Sequence, residues 1–321
     1  MNNFRALKFL ASIASPPGKR GCLSTLIFHR VLKDPDLIRP LEIDAETFRW
    51  ILSVLACNFN VLPLSVAVRK LVSGSLPARA ACITFDDGYA DNAEIALPIL
   101  MELKLPATFF VAPGFINGGR MWNDTVIESV RNLPDGEMDL SHRNLGIHKI
   151  NSINDRLMLI SFLLKNLKYL ELEQRNEAAV EIAESVESKL PDNLMMSTNQ
   201  VRILSEAGME VGAHTINHPI LAKLEARKAK QEISDSKEML QEITGNSISL
   251  FAYPNGKPGQ DYKKDHVEMV KDLGFIAAVS TAWGVGSVRS DIFQLPRFTP
   301  WDTNSRKFML RLIWNCWHSD T

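Results

Sequence analysis

Short apolar runs alternate along this chain with amphipathic stretches of helical period, and that alternation sets the expected architecture. Residues 23–29 are a strand candidate. Residues 44–57 predict a helix opened by Asp44, with Phe48, Ile51, Leu52 and Leu55 on one face. The loop between them, 33–40, is rich in Pro and Asp. Next come a short helix over 66–73 stopped by Gly74, a strand over 81–85, a helix over 91–103, and a strand over 107–112 apolar enough to be covered on both faces. From about 135 to 195 the period is helical and polar, with no strand signal, and reads as a helical insertion. Ser197 and Gln200 have capping-box spacing for a helix through Ala207, which leads into a strand over 209–213. A charged helix over 223–243, a strand over 248–253, a helix over 265–273 and a strand over 275–280 complete the series.

Strands alternating with helices, about seven strands in all, predict an α/β barrel, where chemistry gathers at the loops that follow the strands. The expected organisation is a segment 1–20, one large domain over 21–302 and a C-terminal helix over 303–321. At 321 residues and 45% hydrophobic, the chain can bury such a core. With 36 basic and 37 acidic residues it carries no footprint for nucleic acid. Cys22, Cys57, Cys82 and Cys316 lie too far apart for a zinc ribbon or a disulfide framework, and Cys57 and Cys82 are expected in the core. No run is long enough to span a membrane. The apolar stretch after Arg5 and Lys8 is short for a secretory signal, so a cytoplasmic location is expected over export. The first fourteen residues could form a basic amphipathic anchor for peripheral membrane association, although a disordered or loosely docked terminus is the expectation.

The chemistry is concentrated at two strand ends. Thr84-Phe85-Asp86-Asp87-Gly88 closes one strand with paired carboxylates, and His214-Thr215-Ile216-Asn217-His218 follows another about 125 residues later. An Asp-Asp-Gly alone is often only a turn, and a His pair alone fares little better; the combination, in a chain with 7 His, points to a mononuclear metal hydrolase. Imidazole and carboxylate suit a zinc-like divalent cation, and three protein ligands leave a position for water. Asp87, His214 and His218 are assigned to the cation, leaving Asp86 as the base that takes the proton of water. An aspartyl-phosphate phosphatase would need its acid two residues from the nucleophile and is discarded.

These segments resemble the signature of the NodB-type polysaccharide deacetylases, a Thr-Phe-Asp-Asp-Gly turn with a His-[Ser/Thr]-x-x-His segment. The resemblance covers 23–112 and 197–300 and implies that family's distorted seven-stranded (β/α) barrel, the same role assignment, one divalent metal ion (zinc, with cobalt, nickel or iron as alternatives) and an N-acetylated glycan as substrate. Phe251-Ala252-Tyr253-Pro254-Asn255-Gly256 looks like the family's groove-lining third motif, which implies Tyr253 as a groove residue and the backbone N–H of Asn255 as donor to the developing oxyanion. In many relatives an Arg that pairs with the base stands where this chain has Ala252. The usual catalytic acid, a His in a late Leu-x-His segment, is replaced by Arg297, which cannot act as an acid but could orient Asp86. His29, in Phe28-His29-Arg30, resembles the Tyr-His segment of exopolysaccharide deacetylases related to the poly-N-acetylglucosamine enzymes, and is the expected acid. Trp122, Trp283 and Trp301 fall in loop-like stretches where a ring could stack on a sugar, and Trp122 is the groove candidate. Two rival readings remain: a carbohydrate-binding protein that has lost turnover, suggested by Ala252 and Arg297, and a hydrolase of another C–N bond.

Overall fold

In the computed structural model, which describes residues 2–186, 189–302 and 304–317, seven parallel strands form a barrel wrapped by helices. The strands are β1 (Leu23–Phe28), β2 (Ala80–Phe85), β3 (Thr108–Val111), β4 (Glu210–Ala213), β5 (Leu250–Ala252), β6 (Ala277–Trp283) and β7 (Leu295–Arg297), and each pairs with the next in chain order. Phe298, just past β7, closes the ring: its N–H donates to the Thr25 carbonyl (2.8 Å) and its carbonyl accepts from the Ile27 N–H (3.1 Å). The barrel is distorted between β2 and β3, because the short strand Asn60–Val61 pairs with Ala80 and Ala81 while β3 pairs with Thr84 and Phe85.

The helices are α1 (Asn2–Ala14), α2 (Ala45–Asn58), α3 (Leu64–Val72), α4 (Leu97–Glu102), α5 (Trp122–Asn132), α6 (Ile153–Leu167), α7 (Leu172–Glu184), α8 (Thr198–Glu206), α9 (Ala226–Thr244), α10 (Lys264–Asp272) and α11 (Ser305–Trp317). Local chemistry explains several boundaries. The Asp44 carboxylate accepts from the Thr47 N–H (2.7 Å), Ser197 and Gln200 complete a capping box, and Gly245 takes the left-handed C-cap of α9 at φ 67°. The apolar face of α2 meets the strands through an aromatic chain in which Phe28, Phe48, Phe85 and Phe109 stand 4.7 to 5.7 Å apart, centroid to centroid. Burial of each ring contributes on the order of 2 kcal/mol.

Five expectations need correction. The helix expected over 91–103 begins as a wide π-type turn, Asn92–Ala96, because Asp91 gives its carboxylate to Arg30 (2.8 Å) and the Val31 N–H (3.1 Å) instead of capping. β7 escaped detection because Pro296 interrupts its three residues. The segment 135–195 is not purely helical: Gly136–Asp139 and Ile147–Ile150 form an antiparallel hairpin, too short and too exposed to show an alternating pattern. With α5, α6 and α7 the hairpin builds a separate core around Val126, Val130, Leu159, Leu163 and Ile182. The N-terminal stretch is helical and docked, since Ala11 and Ala14 pack with Cys22, Ile313 and Cys316 against α11. Finally, Cys57 is exposed, on the outer face of α2, whereas Cys82 is buried as expected. Of the C-terminal helix expected over 303–321, residues 305–317 are helical, and 303 and 318–321 lie outside the described residues. No helix among the described residues is long and apolar enough to cross a membrane.

Candidate active site

The barrel delivers the sequence motifs to one end. Asp86 and Asp87 follow β2, and the turn is fixed by backbone bonds from the Asp86 N–H to the Phe28 carbonyl (2.9 Å) and from the Ala112 N–H to the Asp87 carbonyl (3.2 Å). Asp87 sits in the left-handed region at φ 76°, and Gly88 follows at φ 89°, where a Cβ would meet Val111 Cγ1 at 2.9 Å. His214 follows β4, and the turn to His218 is again strained, with Thr215 at φ 60° and His218 at φ 49°. Glu232 of α9 holds that turn by accepting from the N–H groups of Ile216 and Asn217 (2.9 Å each) and from Asn217 Nδ2 (2.8 Å).

The three proposed ligands converge. Asp87 Oδ1 lies 3.4 Å from Nε2 of both His214 and His218, and one donor atom of each residue falls within 4.8 Å of the others. His214 Nδ1 is engaged by the Ala252 carbonyl (2.7 Å), which leaves Nε2 to face Asp87. Asp87 Oδ1 is buried and has no hydrogen-bond donor. A buried acceptor without a donor beside two imidazoles fits a divalent cation, in donor type and in spacing. Burial pushes the His218 imidazole down to about 4, in the neutral form that a ligand requires. Burial would raise the Asp87 carboxyl, but its interactions with the His218 and His214 imidazoles outweigh it and hold the group well below the usual carboxylate range.

Asp86 is kept apart from this set by Arg297. The guanidinium comes from β7 and grips Asp86 with both ends, Nη1 to Oδ1 at 2.7 Å and Nη2 to Oδ2 at 2.6 Å, while its Nε donates to the Ser280 carbonyl (2.8 Å). Burial works to raise the Asp86 carboxyl, and Arg297 overrides it, so the group is ionised below its ordinary range. Arg297 is itself buried and does not line the cleft, so it stands in the wall behind Asp86 and acts through that carboxylate instead of touching substrate.

A cleft of about 250 Å³ opens over these groups, lined by His29, Trp122 and Asn255 as well as by both carboxylates and both imidazoles. Asn255 is held at φ 59° in a turn whose carbonyl accepts from Thr281 Oγ1 (2.7 Å). Tyr253 does not reach the cleft. Its ring is buried and stacks on Tyr262 at 3.8 Å, and its hydroxyl donates to the Phe293 carbonyl (3.1 Å), because the side chain at the end of β5 points into the helix layer. Trp283 and Trp301 are exposed and do not line the cleft. Sequence reasoning missed the roof, which the insertion supplies through Leu164 and Lys168, and it missed Arg175, whose guanidinium lies over the Trp122 ring. A larger cavity of about 650 Å³ lies on the outer side of the His turn, against Glu232, and shares none of the ligating groups.

The comparisons agree with this geometry. A family model described as polysaccharide deacetylase matches residues 73–139 and 167–278, more than half of the chain. The chain is 22% identical over 102 residues to the putative polysaccharide deacetylase YxkH of Bacillus subtilis (strain 168), a match that spans 32% of this chain and 35% of that protein. In structure it is similar to the deacetylase PplD of Streptococcus pyogenes, with TM-score 0.61, 18% identity and coverage of 91% of this chain and 98% of that one. It is likewise similar to IcaB from Ammonifex degensii, with TM-score 0.58, 19% identity and coverage of 94% and 98%. At such identities the structural likeness establishes the barrel, while the sequence model spans both the Asp-Asp-Gly turn and the His turn, and on that ground the chain belongs to the polysaccharide deacetylase family.

Proposed function

We propose that the chain is a metal-dependent hydrolase that removes N-acetyl groups from N-acetylhexosamine units of a polysaccharide or glycan precursor. The observation that carries this reading is a buried, ion-paired carboxylate, Asp86, beside a separate Asp-His-His set in one cleft. A divalent cation held by Asp87, His214 and His218, zinc or else cobalt, nickel or iron, would supply a Lewis acid and a water acidified toward a pKa of about 7. Asp86, ionised and oriented by Arg297, takes the proton of the attacking water. The Asn255 N–H donates to the oxyanion as it forms, and His29, exposed at the mouth of the cleft, gives a proton to the departing amine. Trp122 offers a ring face to the sugar.

The rival of a binding protein without turnover drew its motive from Ala252 and Arg297. The bidentate Arg297–Asp86 pair answers the first, because the guanidinium absent at Ala252 of β5 arrives from β7, and the acid absent at Arg297 is the role proposed for His29. The test is acetate release from short N-acetylglucosamine oligomers, with and without added Zn²⁺ or Co²⁺. Metal-dependent release supports the reading; no release from metal-loaded protein overturns it, and activity on small cyclic amides alone would assign the other C–N chemistry. Asp87→Ala and His214→Ala are each expected to lose the metal, at a cost above the roughly 10- to 100-fold in affinity that removal of an outer-shell partner brings, checked by elemental analysis after dialysis. Full occupancy in both variants would refute the ligand set.

A further inference from the structure

Two cations stand at the cleft with no carboxylate bonded to either: Lys168 in its lining, and Arg175 against the Trp122 ring that walls it. Arg175 of α7 is 3% exposed, its Nε has no hydrogen-bond partner, and it forms no ion pair among the described residues. Its guanidinium lies 5.1 Å from the centroid of the Trp122 ring, a wall of the cleft, and its charge acts on His218. Burial, with no acid opposing it, pulls this guanidinium down to about 10. Lys168, at the end of α6, lines the cleft and also lacks an ion pair among the described residues. Asp261 acts on it from a distance without bonding to it, its Oδ2 accepting from the Lys257 N–H (3.1 Å) and its Oδ1 buried without a partner. Other buried arginines are each offset: Arg30 by Asp91 at 2.8 Å, Arg39 by Asp124 at 2.7 Å, Arg297 by Asp86. An uncompensated guanidinium is costly to bury, and an anion brought by the ligand would recover that cost.

We propose that the cleft takes an N-acetylhexosamine bearing an anionic group, a phosphate or a carboxylate, which Arg175 and Lys168 bind. This rests on the deacetylase reading for the sugar, and the test separates the two. Metal-loaded Asp86→Asn protein, expected to turn over on the order of 10² to 10⁴-fold more slowly, is titrated calorimetrically with methyl N-acetylglucosaminide, N-acetylglucosamine 1-phosphate and the methyl glycoside of N-acetylglucosaminuronic acid. One anionic probe is expected to bind at least about tenfold more tightly than the neutral one, and which one identifies the group. Arg175→Gln, and separately the part-exposed Lys168→Gln, should each reduce that preference. Equal affinities for all three probes, or a preference unchanged in both variants, overturn the proposal. Preference for an anionic probe with no acetate release from the wild type would instead refute the deacetylase reading alone.

A different observation carries a second proposal. α1 is apolar on two sides: Ala11 and Ala14 face α11, while Phe9 and Ile13, 66% and 54% exposed, form a stripe turned to solvent. α11 repeats the pattern, burying Phe308, Leu312 and Ile313 and presenting Leu310, Trp314 and Trp317 outward, with the Trp283 ring of β6 tilted against Trp314, centroids 5.2 Å apart. Neither helix contains an acidic residue, in a chain whose net charge is −1. Lys8 is engaged by the Cys57 carbonyl and Arg311 by Asp302, and Arg5, Arg306 and Lys307 remain exposed without an ion pair among the described residues. Aromatic rings beside uncompensated cations suit an anionic lipid surface, whereas a symmetric contact with a second copy would oppose these cations to each other.

We infer that this face docks on an anionic bilayer. Full-length protein should co-sediment with vesicles of phosphatidylcholine containing about a third phosphatidylglycerol, and roughly tenfold less tightly with phosphatidylcholine alone. The double variant Phe9→Ser/Trp317→Ser and the variant Arg306→Gln/Lys307→Gln should each lose most of that binding while keeping the wild-type melting temperature. Failure to co-sediment, or equal binding to neutral vesicles, overturns the inference. So does a lipid-free dimer, seen by sedimentation velocity, that the first variant splits.

Discussion

Asp86→Asn is expected to lower acetate release by on the order of 10² to 10⁴-fold while leaving metal content unchanged. The amide has the shape of the carboxylate and still accepts from Arg297 through its oxygen, so the Arg297 side of the site should keep its position. It cannot take a proton from water. Metal content should survive because Asp86 contributes no atom to the Asp87, His214 and His218 set. Kinetics and elemental analysis on the same preparation therefore separate the two adjacent carboxylates. Turnover near the wild-type value would sink the base assignment, and loss of metal would show that Asp86 is a ligand.

The sequence made the metal group legible because it lies in two local motifs, each at the end of a short apolar run, and a parallel barrel places all such ends on one face. Asp86, Asp87, His214, His218, His29, Asn255 and Trp122 accordingly meet in one cleft. Contacts that depend on tertiary geometry were less visible. Arg297 reaches Asp86 across 211 positions, from a strand of three residues with a proline in its middle, and only the late Leu-x-Arg departure hinted at it. Lys168 and Arg175 come from an insertion whose polar helical period reveals nothing of what it covers. Tyr253 shows the converse failure. Its motif pointed to the groove, but side chains alternate across a strand, and this one falls on the helix side. α1 was misread because its inward face uses the small residues Ala11 and Ala14, which carry little hydrophobic signal on their own.

Removal of the Arg297 guanidinium should cost both stability and the pH range of activity. Arg297→Met fills similar volume but leaves Asp86 as a buried charge with no partner, a change that destabilises by about 3 to 5 kcal/mol when one member of a buried pair is lost. The sign with pH follows from the causes of the Asp86 shift. In the wild type the ion pair holds the Asp86 carboxyl below its unfolded value, so its contribution to stability is present above that value and fades as pH falls through the lower, folded one. In the variant burial acts unopposed by Arg297, the carboxyl rises, and stability should instead fall as pH increases from the unfolded value to the higher, folded one, where Asp86 is forced to ionise. The acid limb of kcat/KM should move upward in the same variant, since the base is protonated over more of the range. Thermal melts and acetate release across pH measure the two effects independently. Arg297→Lys, which restores the charge without the fork, should recover part of the stability and less of the rate, because a single ammonium cannot hold both carboxylate oxygens. An acid limb that stays in place in Arg297→Met would mean that another group sets the ionisation of Asp86, and the assignment of Arg297 as its positioning residue would fall.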